Sequence, residues 1–210
     1  MGKVIAFSNQ KGGSGKSTLS ANIAVLWSNS GYKVAVIDAD PQKSLSYWLS
    51  ERKKYYGEND IGIDFYQFDI RSLSDEIKKI KRKYDYIIID SPPAITFETI
   101  QIVKVSNGIF VPVQPSPLDL MATLPFLQIA IDERKKPLII LNRVMPRARL
   151  TDAMVLRLRY SGAKIARSRI SSKVIFAETF AVGRGVIDIN VTSDASREII
   201  NVGNEILRNL

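Results

Sequence analysis

Cysteine and histidine are both missing from this 210-residue chain. Without cysteine there are no disulfides, thiolate zinc sites or iron–sulfur ligands. Without histidine, imidazole acid–base chemistry and histidine-bound metals are excluded as well. Any reaction has to run on carboxylates, lysines, hydroxyls and a hard cation bound through oxygen. Long apolar runs are lacking too: stretches such as Ile87–Ile89 and Leu138–Leu141 fall far short of the roughly 20 residues that cross a bilayer. Lys3-Val4-Ile5-Ala6-Phe7 reads as a buried strand from the outset and leaves no room for a signal peptide. A soluble, cytoplasmic protein is the expectation.

The remaining composition is that of an ordinary globular chain, 45% hydrophobic and 24% charged, which argues against disorder. The length suits one domain over residues 1–210. A formal net charge of +9 suggests a polyanionic partner, drawn by steering and counterion release. A charge that serves only solubility explains the composition equally well.

Short apolar runs alternate with amphipathic segments, the pattern of a parallel sheet covered by helices. Strands are expected at Val4–Ser8, Val34–Asp38, Tyr86–Asp90, Gly108–Val113 and Leu138–Asn142. A helix from about Lys16 puts Leu19, Ile23, Leu26 and Trp27 on one face and stops at Gly31. Another, near Leu73–Lys83, starts on a Ser72/Asp75 capping box, buries Leu73, Ile77 and Ile80, and turns Lys78, Lys79, Lys81, Arg82 and Lys83 outward. A last helix, Asp194 to Arg208, carries Ile199, Val202, Ile206 and Leu210 on a core stripe. The least structured stretch is expected at Glu51–Gly62. The fold class is therefore α/β: a doubly wound, mostly parallel sheet with helices on both faces.

Lys11-Gly12-Gly13-Ser14-Gly15-Lys16-Ser17-Thr18 follows the first strand and leads directly into a helix. In that context it is a phosphate cradle, the P-loop of an NTPase. The glycines let backbone N–H groups turn inward on a β-phosphate, and the helix N-terminus adds partial positive charge. Lys16 reaches the β/γ oxygens, and the Ser17 hydroxyl can ligate Mg²⁺. Two acidic pieces end predicted strands, where open α/β sheets bind ligands: Asp38-Ala39-Asp40-Pro41-Gln42 and Ile87-Ile88-Ile89-Asp90-Ser91-Pro92-Pro93. Asp90 suits Mg²⁺ held through water. Asp38 and Asp40 also read as capping or turn residues.

Lys11 adds a cation where a simple P-loop needs none, and with it the box resembles the deviant Walker A motif of the ParA/MinD family of ATPases. The resemblance implies ATP as ligand and a homodimer that sandwiches it, with Lys11 reaching the partner's nucleotide, so that binding and association become linked. It gives Asp40 the task of positioning the attacking water and Asp38 that of supporting the metal shell. Phosphoryl transfer needs positioning and charge neutralisation more than covalent chemistry. No arginine in the motifs is an obvious finger in cis, so slow intrinsic hydrolysis is expected, accelerated by a partner. Pro112-Val113-Gln114-Pro115-Ser116-Pro117-Leu118-Asp119 looks like the proline-rich stretch of short plasmid-partition members of the ParF type. Asn142 sits where the family commonly reads adenine with an amide, and a plain strand-terminating role is an equal alternative.

Longer partition ATPases carry an N-terminal helix-turn-helix region, and no residues stand ahead of the P-loop strand here to build one. Sequence-tolerant DNA binding is therefore expected, at a nucleoid location, with a centromere-binding adaptor of the ParB type to stimulate hydrolysis. The candidate DNA residues are Arg167, Arg169, Lys173 and Arg184, within a wider cluster of Arg157, Arg159 and Lys164. Cations without interleaved aromatics suit phosphates and not bases. Ser171-Ser172 stand where relatives often carry an arginine, and the helix at 78–83 is the second candidate. MinD-like membrane positioning is an alternative that needs a basic amphipathic C-terminal helix. Here Glu198 and Glu205 mix with Arg197 and Arg208, which favours packing on the sheet and no membrane. A small-molecule ligase would need an acceptor pocket that no motif marks.

Overall fold

The computed structural model describes residues 1–57, 61–145, 155–158 and 160–210. A seven-stranded sheet organises it, in the order β3-β2-β4-β1-β5-β6-β7, and every strand pairing is parallel. The strands are β1 (Lys3–Phe7), β2 (Val34–Asp38), β3 (Asp64–Tyr66), β4 (Tyr86–Asp90), β5 (Gly108–Val113), β6 (Leu138–Val144) and β7 (Lys164–Ser171). The helices are α1 (Lys16–Asn29), α2 (Ser44–Tyr56), α3 (Leu73–Ile80), α4 (Phe97–Val105), α5 (Pro117–Asp132), α6 (Ile175–Ala181), α7 (Val186–Ile189) and α8 (Asp194–Arg208).

Strand parity divides the core. Ile5, Phe7, Val36, Ile88, Phe110 and Ile140 face α1, α2 and α8. Val4, Ala6, Ile37, Ile89, Val111 and Leu141 face α3, α4 and α5. With both faces covered, β1, β2, β4 and β5 read as near-continuous apolar runs, as buried parallel strands do. Helix α1 is buried nearly all round, not on the single expected stripe, because α2, α7 and α8 pack against it as well as the sheet.

Two expectations are corrected, and one element is added. The Ser72 hydroxyl donates to the Asp69 carbonyl at 2.9 Å and makes no cap bond to α3, so the Ser72/Asp75 box is absent. The stretch from Glu51 is helical as far as Tyr56; Arg52 fastens it, with Nη1 donating to Asp188 at 2.7 Å and to the Gly183 carbonyl at 3.2 Å. Residues 58–60 of that stretch lie outside the described residues. The run around Arg167 is β7, whose backbone N–H groups at Arg167 and Ser168 donate to Glu205 and at Ser171 to Glu198. Those two acids of α8 are thereby tied to the sheet, while Ile199, Val202 and Ile206 are buried on the same helix. Among the described residues no helix is long and apolar enough to cross a membrane.

Candidate nucleotide site

Register puts the acidic strand ends in one layer. Asp38 is level with Asp90, and Asp90 with Phe7 at the exit of β1, so the P-loop springs from the strand between the two inner neighbours β4 and β5. Its turn depends on glycine: Gly13 and Gly15 have φ of 76° and 99°, a left-handed conformation that costs other residues strain. A Cβ at Gly15 would also fall on the Asn142 amide.

Helix α1 starts with no side-chain cap and no acidic residue in its first turn, whereas Ser116 and Ser193 cap α5 and α8. Its first described backbone bond runs from Leu19 N–H to the Gly15 carbonyl at 3.0 Å. The N–H groups of Lys16, Ser17 and Thr18 thus have no helical acceptor and are free for an anion. The loop's carbonyls, by contrast, are held. Asn142 Nδ2 donates to Ser14 O and Gln114 Nε2 to Gly13 O, each at 2.7 Å. Asn9 accepts the Lys11 N–H at 3.1 Å while its own amide donates to Pro112 O at 2.8 Å. The ends of β5 and β6 therefore hold the loop open with its N–H groups facing inward. Gln114 and Asn9 escaped the motif reading because these contacts join residues about a hundred positions apart.

A cavity of about 280 Å³ lies over the loop, lined by Gly13, Lys16, Thr18, Asp40, Arg143 and Phe180 among others. A smaller one of about 90 Å³ adjoins it, with Thr18, Asn142, Arg143, Lys173 and Phe176 in its wall. Lys16 is 5% exposed; burial lowers its pKa from the ordinary lysine value, and the charges of Asp90 and Asp40 oppose that fall. Asp90 is fully buried, and neither carboxylate oxygen receives a hydrogen bond of good geometry. Burial pushes its carboxyl up to about 7, with Asp38 and Asp40 adding to the rise and the Ser17 hydroxyl and Lys16 opposing it. An orphaned carboxylate beside a hydroxyl fits a hard divalent cation. Among the described residues no group of three or more acidic side chains forms a metal cage.

Asp40 borders the larger cavity, with Oδ1 accepting the Gln42 N–H at 2.9 Å. Asp38 stands one step back. Its Oδ1 accepts the Asp40 N–H at 3.2 Å and its Oδ2 accepts the Ser46 N–H and hydroxyl at 2.8 and 2.7 Å. Both oxygens thus accept hydrogen bonds that fix the Asp40 loop onto α2. The Lys11 side chain is exposed and lines neither cavity of its own chain. Lys43 and Arg143, with φ of 52° each, put non-glycine residues in the left-handed region beside the site. Arg143, which the motifs did not single out for a role, borders both cavities.

The candidate DNA residues do not stay together. Arg167 and Arg169 are exposed on β7. Lys173 is paired with Glu198 at 2.6 Å and lines the smaller cavity. Arg184 turns inward, bonded to the Asp188 carbonyl at 2.5 Å with its guanidinium over the Tyr55 ring. Those two are corrected from free surface cations to packed ones, because acceptors on α7 and α8 reach them first. Arg159 lies outside the described residues.

Residues 5–186 match the family model described as the CobQ/CobB/MinD/ParA nucleotide binding domain. Maintenance of carboxysome distribution protein A from Halothiobacillus neapolitanus is 28% identical over 210 residues, covering 97% of this chain and 95% of that protein. The chromosome-partitioning ATPase Soj of Thermus thermophilus is 25% identical over 235 residues, covering 97% and 94%. Among solved structures, apo McdA from Cyanothece is similar with a TM-score of 0.83 at 19% identity, over 98% of this chain and 99% of that one; at that identity the likeness speaks for the fold alone.

Proposed function

The chain belongs to the CobQ/CobB/MinD/ParA nucleotide-binding family and is a P-loop ATPase of it, and from that premise we propose that it segregates DNA. In this reading it binds ATP with Mg²⁺, dimerises around two nucleotides, and holds duplex DNA without reading its sequence until a centromere-bound adaptor triggers hydrolysis. The observation that carries it is the division of the two lysines. Lys16 is buried in the cavity, while Lys11, from the same loop, is exposed and outside it. A charge placed there is available to a second chain's phosphates, and its use across an interface would link ATP to association.

Lys16 and the free N–H groups of α1 take the β- and γ-phosphates, and Ser17 with Asp90 would hold Mg²⁺. When bound, the cation would supply neutralisation of charge on the transferred phosphoryl group. Asp40 accepts a hydrogen bond from the attacking water, whose oxygen bonds to the γ-phosphorus as the bond to the bridging oxygen of ADP breaks. Asp38 keeps Asp40 in place. Asn142 and Arg143 border the smaller cavity, where the base is received. Arg167 and Arg169 remain as phosphate contacts for DNA.

The named relatives of full length distribute different cargo, one carboxysomes and one chromosomes, so a protein body is a second reading of what is moved. Binding of the full chain to mixed-sequence duplex DNA with ATP, with ADP and without nucleotide separates the two. DNA segregation requires binding that depends on ATP and falls steeply with salt. Equal binding in all three states, or none in any, would overturn it.

A further inference from the structure

The strands enter the sheet at the edge opposite the nucleotide cavity, and lysine recurs there. Across the sheet, Lys33 precedes β2, Lys83 precedes β4, Lys3 opens β1, Lys136 precedes β6 and Lys164 opens β7. Pairing sets Lys3 and Val34 level with Tyr86 and steps the start of β7 further along, Lys164 being level through Leu138 and Phe110 with Phe7, while the side chains of Lys3 and Lys164 both reach back to the end of α8 at Leu210 and Asn209. With neighbouring strands about 4.8 Å apart, the row from β2 to β7 is about 24 Å long. All of these lysines are exposed. None is in an ion pair among the described residues. Lys164 donates to the Asn209 side chain, a neutral oxygen that leaves its charge uncompensated, and Lys3 donates to a main-chain oxygen of Leu210. Asp85, exposed beside Lys83 and accepting the Lys33 N–H at 2.8 Å, brings one negative charge into the row.

Helix dipoles account for part of the row, since α1, α3 and α5 end at this edge within four residues of Lys33, Lys83 and Lys136. Cations gather at helix C-termini, which explains Lys78, Lys79 and Lys104 in the last turns of α3 and α4. Those three are moreover paired with Asp75, Glu76 and Glu133. Lys3 and Lys164 open strands and stand in the last turn of no described helix. The aromatic beside the row, Tyr32, packs edge-on against Tyr86 at 5.1 Å, so no free ring is offered for stacking on unpaired bases. The terminal helix α8, which could otherwise dip into a lipid surface, buries its apolar stripe.

We infer that the amino edge of the sheet is a polyanion surface that takes the phosphate backbone of duplex DNA, in addition to Arg167 and Arg169 on β7; this rests on the reading that the chain holds DNA. A duplex carries one charge per about 1.7 Å of axis with both strands counted, so a length equal to the row holds about 14 phosphate charges, of which those on the near side meet the lysines. The lysines meet them as point charges and read no sequence.

The test is fluorescence anisotropy of a labelled mixed-sequence duplex titrated with the full chain and ATP over a range of salt. The variants are Lys33→Gln/Lys83→Gln/Lys136→Gln and Arg167→Ala/Arg169→Ala. Binding of a fluorescent ATP analogue and the melting temperature report that each is folded. The glutamine variant should bind nucleotide like the parent but DNA at least about tenfold more weakly, with a salt slope shallower by about 2.7, at about 0.9 per phosphate contact. Unchanged DNA affinity and slope in that variant would overturn the inference. If Arg167→Ala/Arg169→Ala alone abolishes binding, the DNA reading stands and the row does not. A parent that ignores DNA in every nucleotide state and binds only phosphatidylserine vesicles would sink both.

Discussion

Where β1, β2 and β4 leave the sheet, Lys16, Asp38 and Asp90 are buried among the loops that hold them; where the same strands enter it, Lys3, Lys33 and Lys83 stand in water. One edge is pre-organised and costly. It keeps an orphaned carboxylate, a desolvated lysine and left-handed backbone at Gly13, Gly15, Lys43 and Arg143, arrangements that are kept for binding and not for stability. The other edge is assembled from single, flexible, solvated charges whose effect on the fold is slight and whose action at a distance is additive. A small ligand chemically transformed needs the first kind of surface; a long polyanion merely held needs the second.

Substitutions at the two edges should therefore differ in kind. The largest effect is expected from Lys16→Ala, which removes the buried cation: nucleotide binding should be lost and residual turnover fall by about 10²–10³-fold, read by fluorescent-nucleotide titration and phosphate release. Retained binding would mean the N–H cradle alone suffices. Next, Asp90→Asn should abolish turnover and yet stabilise the ligand-free protein. The sign follows from a folded pKa raised to about 7: the wild-type carboxyl is neutral at no cost below the unfolded value near 4. Stability is then lost as pH rises from there to about 7, and stays lost above it. The asparagine variant escapes that loss, by on the order of 1–4 kcal/mol. Its melting temperature should exceed the wild type's at pH 7.5 and match it near pH 4. Equal melting at both would mean that Asp90 is satisfied in the ligand-free state.

A smaller change is expected from Asn142→Ala, which frees the Ser14 carbonyl and leaves the phosphate groups intact. Nucleotide affinity should weaken by about tenfold, as loss of a supporting hydrogen bond does, with the single-turnover rate changed less. The smallest is expected at the amino edge: Lys136→Gln should alter stability by no more than about 0.5 kcal/mol and leave nucleotide affinity unchanged. A large loss of either would erase the contrast between the edges.

Much of the carboxyl edge was legible in the sequence because its signals are local. Apolar runs mark β1, β2, β4 and β5, and the glycines and lysines of the loop sit within a few residues of one another. The parts that escaped depend on distant partners. Strand β3, Asp64–Tyr66, is a short edge strand with no apolar run. Strand β7 looks like a charged segment until Glu198 and Glu205 are seen to take its N–H groups. Helix α2 runs past Glu51 into a polar stretch that is anchored by the buried pair of Arg52 and Asp188. Lys173 and Arg184 looked like surface cations because their acceptors, on α8 and α7, lie elsewhere in the chain.

The proposal that ATP joins two chains turns on Lys11, which shares the loop with Lys16 but not its cavity. Sedimentation of Lys11→Ala with ATP, beside phosphate release and fluorescent-nucleotide titration, tests it directly. The variant should bind nucleotide with near-parental affinity, remain a monomer when the parent dimerises, and hydrolyse little. A Lys11→Ala protein that dimerises and turns over ATP like its parent would show the site to be complete within one chain and would contradict the shared-site mechanism.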